Sequence, residues 1–448
     1  MTSTRPKIAV LWAQYGPYHL ARLSALAKLA GPSNVHALEF ANLTRDYRWN
    51  RSAEAIGLTT LCPGSVAEQL PFATVFWRTR RKLAELGMQV CLLPSYSPKQ
   101  SLAALLAVKS LGIRAVMMNE SHAGTAQARG ISAWAKRRLV GLFDAALVGG
   151  VPQKRYFASL GLPQEKIFIG YDAVDNDYFA RRAIEIRNQK PEIRSQYGLP
   201  EHYFLSLGRF VFKKNLATLI RAFRGFLIPG QKRNVHLVMV GSGEEEASLR
   251  TLCHELRLPV NDHARPAVPH TTPGTDQPGV HFYGFRQIDE SPVFYALADA
   301  FILPSQREEW GLVVNEAMAS GLPVIVSETA GCAEDLLEPG WPPDCSQRHR
   351  TQSVVKAGLH HRIRQNGCVF DPNSSGELSR IMRLLDARPE LRAAMGRASR
   401  QIIEKFSCRN FAENALLAAQ SAMDKLPPGH SALPADKQIK LSVAAQSI

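Results

Sequence analysis

The chain has 448 residues, 45% of them hydrophobic and 21% charged, a globular composition on a length greater than one hydrophobic core usually organises. It holds no run of about 18 apolar residues and opens on MTSTRPKIAVLWAQYG, a short polar lead into a strand-like run, so neither a membrane span nor a signal peptide is expected. Its seven cysteines stand singly, which points away from a disulfide framework and a zinc site, and its net charge of +15 calls for an anionic partner.

The elements begin with KIAVLWA, HLARLSALAKLA and VHALEF, and continue through MQVCLLP, SLAALLAVKSLG, IRAVMMN, KRRLVGLF and AALVGG. Short β-branched-rich runs alternating with helix-period segments predict a parallel sheet covered on both faces. The series restarts after the polar stretch ARRAIEIRNQKPEIRSQYGLP, with HYFLSLG, KKNLATLIRAFRGF, VHLVMVG, VFYALADAFILP, VVNEAMASG and LPVIVSE. This predicts an α/β protein of two Rossmann-like domains, residues 1–180 and 201–408, joined by a linker over 181–200. A helix over 409–426 should pack back towards the first domain, and the tail 427–448 should be disordered. Pro259–Gly279 and Gly340–Gln365 read as surface insertions.

Three stretches could carry chemistry. In PSQREEWGLVVNEAMASGLPVIVSE, a helix is expected to begin at Gly311, which aims the backbone amides of Trp310, Gly311, Leu312 and Val313 at a phosphate. Glu308 and Glu316 bracket that turn, and a carboxylate can accept two hydrogen bonds from a vicinal diol. From spacing alone, a plain helix start with solvated acids fits equally well. Upstream, Arg209 and Lys214 lie in the turn after Gly208, either as an anion site or as an ordinary basic loop beside Lys213. Gly241 and Gly243 of VMVGSG would let backbone approach a ligand.

Arg209 with Lys214 five positions on, VGSG, FYGF, ADAFILPS, and Glu308 and Glu316 followed by AMASGLPVIVS together resemble the C-terminal domain of glycosyltransferase family 4. The resemblance covers about residues 200–425. It implies the GT-B fold of two facing Rossmann-like domains and retaining transfer from a nucleoside diphosphate sugar, with no metal required. It also implies that Arg209 and Lys214 bind the diphosphate, Glu316 the ribose and Glu308 the donor sugar, with the amides near Trp310 to Val313 on the distal phosphate. Where the family usually has Gly-Phe-Gly after the first glutamate, this chain has Glu309-Trp310-Gly311.

The N-terminal half, which would hold the acceptor, resembles the family at fewer places. Gly16 stands where the family has a glycine-rich loop, and Arg22 follows on the next helix. His122, at the tip of the strand IRAVMMN, is the candidate beside the transferring sugar, with Glu120 as its rival. IGYDAVDNDYF resembles the segment that closes the first domain.

The first 179 residues carry 21 Lys and Arg against 11 Asp and Glu. ISAWAKRRLVGLF should place Trp134, Leu139, Leu142 and Phe143 on one side of a helix with Lys136, Arg137 and Arg138 nearby, and WRTRRKLAEL adds Arg78, Arg80, Arg81 and Lys82. Such segments bind anionic membranes, or else cover a core with a solvated basic face. Nucleic acid is not expected, since no recognition motif accompanies the charge. The expected protein is therefore a cytoplasmic transferase, peripheral on the cytoplasmic membrane face, that moves a sugar to a hydroxyl acceptor such as a lipid-linked glycan. A nucleotide-sugar epimerase of similar fold and a non-catalytic anion-binding scaffold are the rival readings.

Overall fold

The computed structural model describes residues 5–45, 57–126, 130–228, 234–263, 277–343 and 358–424. The expected disordered tail lies outside them, as do the middles of both expected insertions.

In chain order the first unit runs β1 (Ile8–Trp12), α1 (Pro17–Ala30), β2 (Val35–Leu43), β3 (Leu58–Val66), α2 (Phe72–Leu86), β4 (Val90–Pro94), α3 (Lys99–Ser110), β5 (Arg114–Asn119), α4 (Ile131–Val140), β6 (Ala145–Val148), α5 (Val151–Ser159) and β7 (Ile167–Ile169). Its seven strands pair in parallel in the order β3-β2-β1-β4-β5-β6-β7. Strands such as IAVLW and AALV are buried at every position, as a parallel sheet covered on both faces requires.

The second unit begins with α6 (Asn176–Asn188) and α7 (Lys190–Tyr197), then β8 (His202–Leu207), α8 (Leu216–Phe226), β9 (Val235–Val240), α9 (Glu246–Glu255), β10 (Val260–Asp262) and β11 (Val280–Phe282). It continues with α10 (Ser291–Leu297), β12 (Ala300–Leu303), α11 (Leu312–Ala319), β13 (Val324–Ser327), α12 (Ala333–Leu336), β14 (Ile363–Arg364), β15 (Gly367–Phe370), α13 (Ser375–Asp386), α14 (Pro389–Ile403) and α15 (Cys408–Met423). Its sheet order is β10-β11-β9-β8-β12-β13-β15-β14, parallel except for the edge pair β14–β15.

The stretch 181–200 is not a linker. Phe179, Ala183 and Ile186 recur at helical spacing along α6 and bury themselves in the second unit's core with Tyr203, Phe294 and Met318. The polar residues that mark a linker by composition are the outer face of α6 and α7. At the other end, α15 crosses back to the first sheet. Phe411, Ala412, Ala415, Ala418, Ala419 and Ala422 form one small-residue stripe that lies close against the core beneath β1, β4, β5 and β6. The first unit is thus completed by residues more than two hundred positions away. Phe411→Ala should cost about 3–5 kcal/mol in urea unfolding, the usual range for emptying a buried phenylalanine site. A loss below about 1 kcal/mol would mean that α15 is not part of that core.

Candidate active site

In each sheet the chain reverses its direction of growth beside the first strand, next to β1 in one and next to β8 in the other, and ligands of open α/β sheets bind at the carboxyl edge of such a point. The loops that leave these edges meet across the domains.

On the second domain's side, the turn after β8 carries Arg209, Lys213 and Lys214, and the loop after β12 carries Ser305 to Gly311. Lys214 Nζ lies 2.5 Å from Glu308 Oε2, which also accepts from Ser305 Oγ at 2.8 Å, and Lys213 Nζ lies 2.7 Å from Glu309 Oε2. Burial pushes the Glu309 carboxyl up, but Lys213 outweighs it and holds the group below the ordinary carboxylate range. Gly311 starts α11 with φ of +105°; a Cβ there would meet Leu303 at 3.0 Å and Glu308 at 3.3 Å, so glycine suits both the conformation and the space. The first-turn amides of α11 sit beside the Glu308–Lys214 pair, where a helix N-terminus favours an anion.

On the first domain's side, His122 follows β5. Its Nδ1 accepts from the Gly124 amide at 3.2 Å, so Nε2 carries the ring proton and donates to the Glu308 carbonyl at 3.0 Å, across the domain boundary. Glu120 lies near Asp172, and burial pushes both carboxyls up, with Arg22 as the opposing charge. Arg22 Nη2 is 3.9 Å from Asp172 Oδ1, while its Nε donates to the Ala173 carbonyl at 2.8 Å. The phenol of Tyr18, on α1, donates to Glu316 on α11. Burial pushes the Glu316 carboxyl up to about 7, against the pull of the Tyr18 and Tyr295 phenols.

Trp310 closes the seam. Its ring is fully buried, Nε1 donates to Asn315 Oδ1 at 2.9 Å, and Asn315 in turn donates to the Asp172 carbonyl at 3.1 Å. The ring lies flush on Gly149 and Gly150, where a Cβ would come within 2.8 and 2.7 Å of it. Around it, the Val151 amide at the start of α5 donates to Asp335 at 3.1 Å, Arg155 pairs with Glu334 at 2.5 Å, and Gln153 donates to the Glu309 carbonyl at 2.8 Å.

The structure therefore brings Lys214, Glu308, Gly311, Leu312, Val313, Glu316 and His122 to one seam, with Arg209 half-buried in the adjoining turn. The Trp310 side chain faces the first domain, where its ring packs on Gly149 and Gly150. Two expected glycine contacts stand differently. The space beside Gly241 and Gly243 is taken by the chain itself, since a Cβ would fall 1.9 Å from the Gly208 carbonyl oxygen and 2.4 Å from that of Phe210. The Gly16 amide donates to His19 Nδ1 at 3.0 Å, which caps α1. Residue patterns also passed over Tyr18, Asn315, Gln153 and Asp335, whose roles exist only across the domain boundary; the one signal for Tyr18 is its place in the turn after Gly16. Among the described residues no cluster of three or more His, Cys, Asp and Glu has the geometry to hold a metal.

Burial raises Glu316, Asp335, Glu120 and Asp172 together, Asp335 to about 6. The folded protein keeps protons that the unfolded chain releases, so the stability tied to Glu316 is present below its ordinary 4.5 and fades as pH rises through about 7. Urea unfolding should show wild type losing stability over that window more steeply than Glu316→Gln; parallel curves would contradict the assignment.

Residues 201–385 match the family model described as Glycosyl transferases group 1. The GDP-mannose-dependent alpha-(1-6)-phosphatidylinositol monomannoside mannosyltransferase of Mycobacterium tuberculosis is 29% identical over 284 residues, 60% of this chain and 65% of that one. The alpha-monoglucosyldiacylglycerol synthase of Streptococcus pneumoniae is 32% identical over 149 residues, 33% of this chain and 29% of that protein. The chain covers less than two thirds of the length of these curated relatives. Among solved structures, Anabaena HepE in complex with UDP-glucose superposes with a TM-score of 0.62 at 18% identity, over 93% of this chain and 100% of that one. The match to the group 1 glycosyl transferases lies in the second domain, over residues 201–385, and the chain as a whole has the GT-B fold of two facing α/β domains.

Proposed function

We propose that this protein is a retaining glycosyltransferase of the family 4 kind, moving a sugar from a nucleoside diphosphate sugar to a hydroxyl acceptor. The observation that carries the reading is the meeting of Lys214, Glu308 and the start of α11 with His122 of the other domain, a cation, an acid and helix amides around one seam. Arg209, Lys214 and the amides of Gly311 to Val313 face the diphosphate, Glu316 the ribose, and Glu308 with His122 the transferring sugar. The bond from the anomeric carbon to the diphosphate oxygen breaks, and the acceptor oxygen bonds to the same face of that carbon. The acceptor proton passes to the departing phosphate oxygen. The negative charge that develops on the diphosphate is where fixed cations and helix amides stabilise most.

A lipid-linked acceptor at an anionic membrane fits two exposed aromatic–basic faces on the first domain. Trp77 of α2 is 62% exposed with Arg80 5.9 Å over its ring, and Trp134 of α4 is 60% exposed with Arg138 at 5.3 Å. The α4 face differs from the periodic expectation: Phe143 is buried, Trp134 and Ile131 point outward, and Lys136 turns inward to the Tyr156 hydroxyl at 2.9 Å. No helix among the described residues is long and apolar enough to cross a membrane. The relatives named for phosphatidylinositol mannoside and glucosyldiacylglycerol chemistry agree with a lipid acceptor.

A thermal-shift series over UDP, GDP and ADP with their sugars should find one nucleotide that stabilises the protein, by about 2.7 kcal/mol at a hundred times its dissociation constant. Glu316→Ala should abolish that shift, and Lys214→Ala should slow sugar transfer, through slower cleavage of the bond from the anomeric carbon to the diphosphate, by roughly 10²–10³-fold. If no nucleotide shifts the protein, the transferase reading fails. For the membrane face, wild type should sediment with phosphatidylglycerol vesicles at low salt and the combined Arg80→Glu, Arg138→Glu variant should stay in solution; equal sedimentation would remove the proposal.

A further inference from the structure

Glu316 is the group to which the proposed function gives the ribose, yet its side chain is 1% exposed. A diol cannot reach this carboxylate unless a neighbour moves. On one side stands Tyr295 of α10, in the same domain; its hydroxyl is buried beside Glu316 and lacks a hydrogen-bond partner of normal geometry. On the other side stands Tyr18 of α1, which comes from the first domain, donates its phenol to Glu316 Oε1 and packs against the second domain's core. Tyr18 is thus the one named contact on this carboxylate that domain opening would withdraw.

Resting on that reading of Glu316, we propose that Tyr18 is the gate of the ribose site: its phenol takes the carboxylate in the closed arrangement, and an incoming nucleotide takes its place. The two ligands are chemically alike, since a phenol and a ribose hydroxyl each donate one hydrogen bond to the same oxygen. The Tyr295 hydroxyl, buried beside the same carboxyl, then gives the ribose a second contact that Tyr18, with its single hydroxyl, does not use. The exchange sets a coupling between nucleotide binding and domain opening: every nucleotide bound must first break the Tyr18–Glu316 bond. A buried hydrogen bond to this carboxyl has a net worth large enough for its removal to be felt as roughly an order of magnitude in affinity.

The test is calorimetric titration of UDP and of GDP into wild type, Tyr18→Phe and Glu316→Gln. Tyr18→Phe keeps the ring and its packing but removes the competing hydroxyl, so the nucleotide that binds wild type should bind it roughly tenfold more tightly. Tyr18→Met, equally without a hydroxyl, gives the same direction should the phenylalanine variant not fold. A residue that merely supports the fold would leave affinity unchanged or weaken it, and either result overturns the gate. If neither wild type nor Tyr18→Phe binds a nucleotide, or Glu316→Gln binds as wild type does, the ribose assignment itself falls and the gate with it.

Discussion

The arrangement of the two domains depends on the burial of one side chain, Trp310, in a hollow made by two glycines of the other domain. A buried tryptophan takes roughly 150–250 Å² out of water, on the order of 4–6 kcal/mol of apolar burial. The ring is adjacent in sequence to Gly311, so fixing it against Gly149 and Gly150 also fixes where α11 begins and where its amides point. Neither glycine could carry a Cβ: at Gly150 it would lie 2.1 Å from Asp335 and at Gly149 2.5 Å from Asp172. The surrounding polar contacts add direction more than energy. Arg155 and Glu334 are each at least half exposed, and such pairs contribute little.

Electrostatics at the seam follow from the same burial. Acids sit on both sides: burial pushes Glu316, and Asp172 and Glu120 despite Arg22 nearby, towards their protonated forms, whereas Glu309 beside Lys213 is held below the ordinary carboxylate range. The site thus sorts its carboxyls by what each one touches. Lys213 and Lys214 each hold an acid in the turn that begins at Gly208, which keeps two ammonium groups at the edge where the proposed diphosphate charge would develop.

Much of the fold was legible in the sequence because its signals are local. A run such as VHLVMV buried on both faces, or the restart of the strand–helix series, needs no knowledge of the other domain. Where an element's partner is distant, composition misled. Polar residues over 181–200 suggest a linker although Phe179, Ala183 and Ile186 form a buried helical stripe, and helical period groups Trp134 of α4 with Phe143 beyond its end although Trp134 points out and Phe143 in. The candidate site divides in the same way. Arg209, Lys214, Glu308 and Glu316 stood out through an ordered series of motifs within one domain. Tyr18, Asn315, Gln153 and the packing role of Trp310 have no periodic or spacing signal, since each exists only when the two domains meet. Gly241 and Gly243 signalled close backbone approach correctly in kind, but the backbone they approach is the chain's own.

Whether the seam between the loop after β12 and the tip of β5 holds a nucleotide-sugar is tested most directly by a crystal structure of the protein soaked with the nucleoside diphosphate that most raises its unfolding temperature. Diphosphate oxygens should lie within hydrogen-bond reach of Lys214 and the Gly311–Val313 amides, with the ribose on Glu316. A nucleotide bound elsewhere, with Glu316 still holding Tyr18, would contradict this placement.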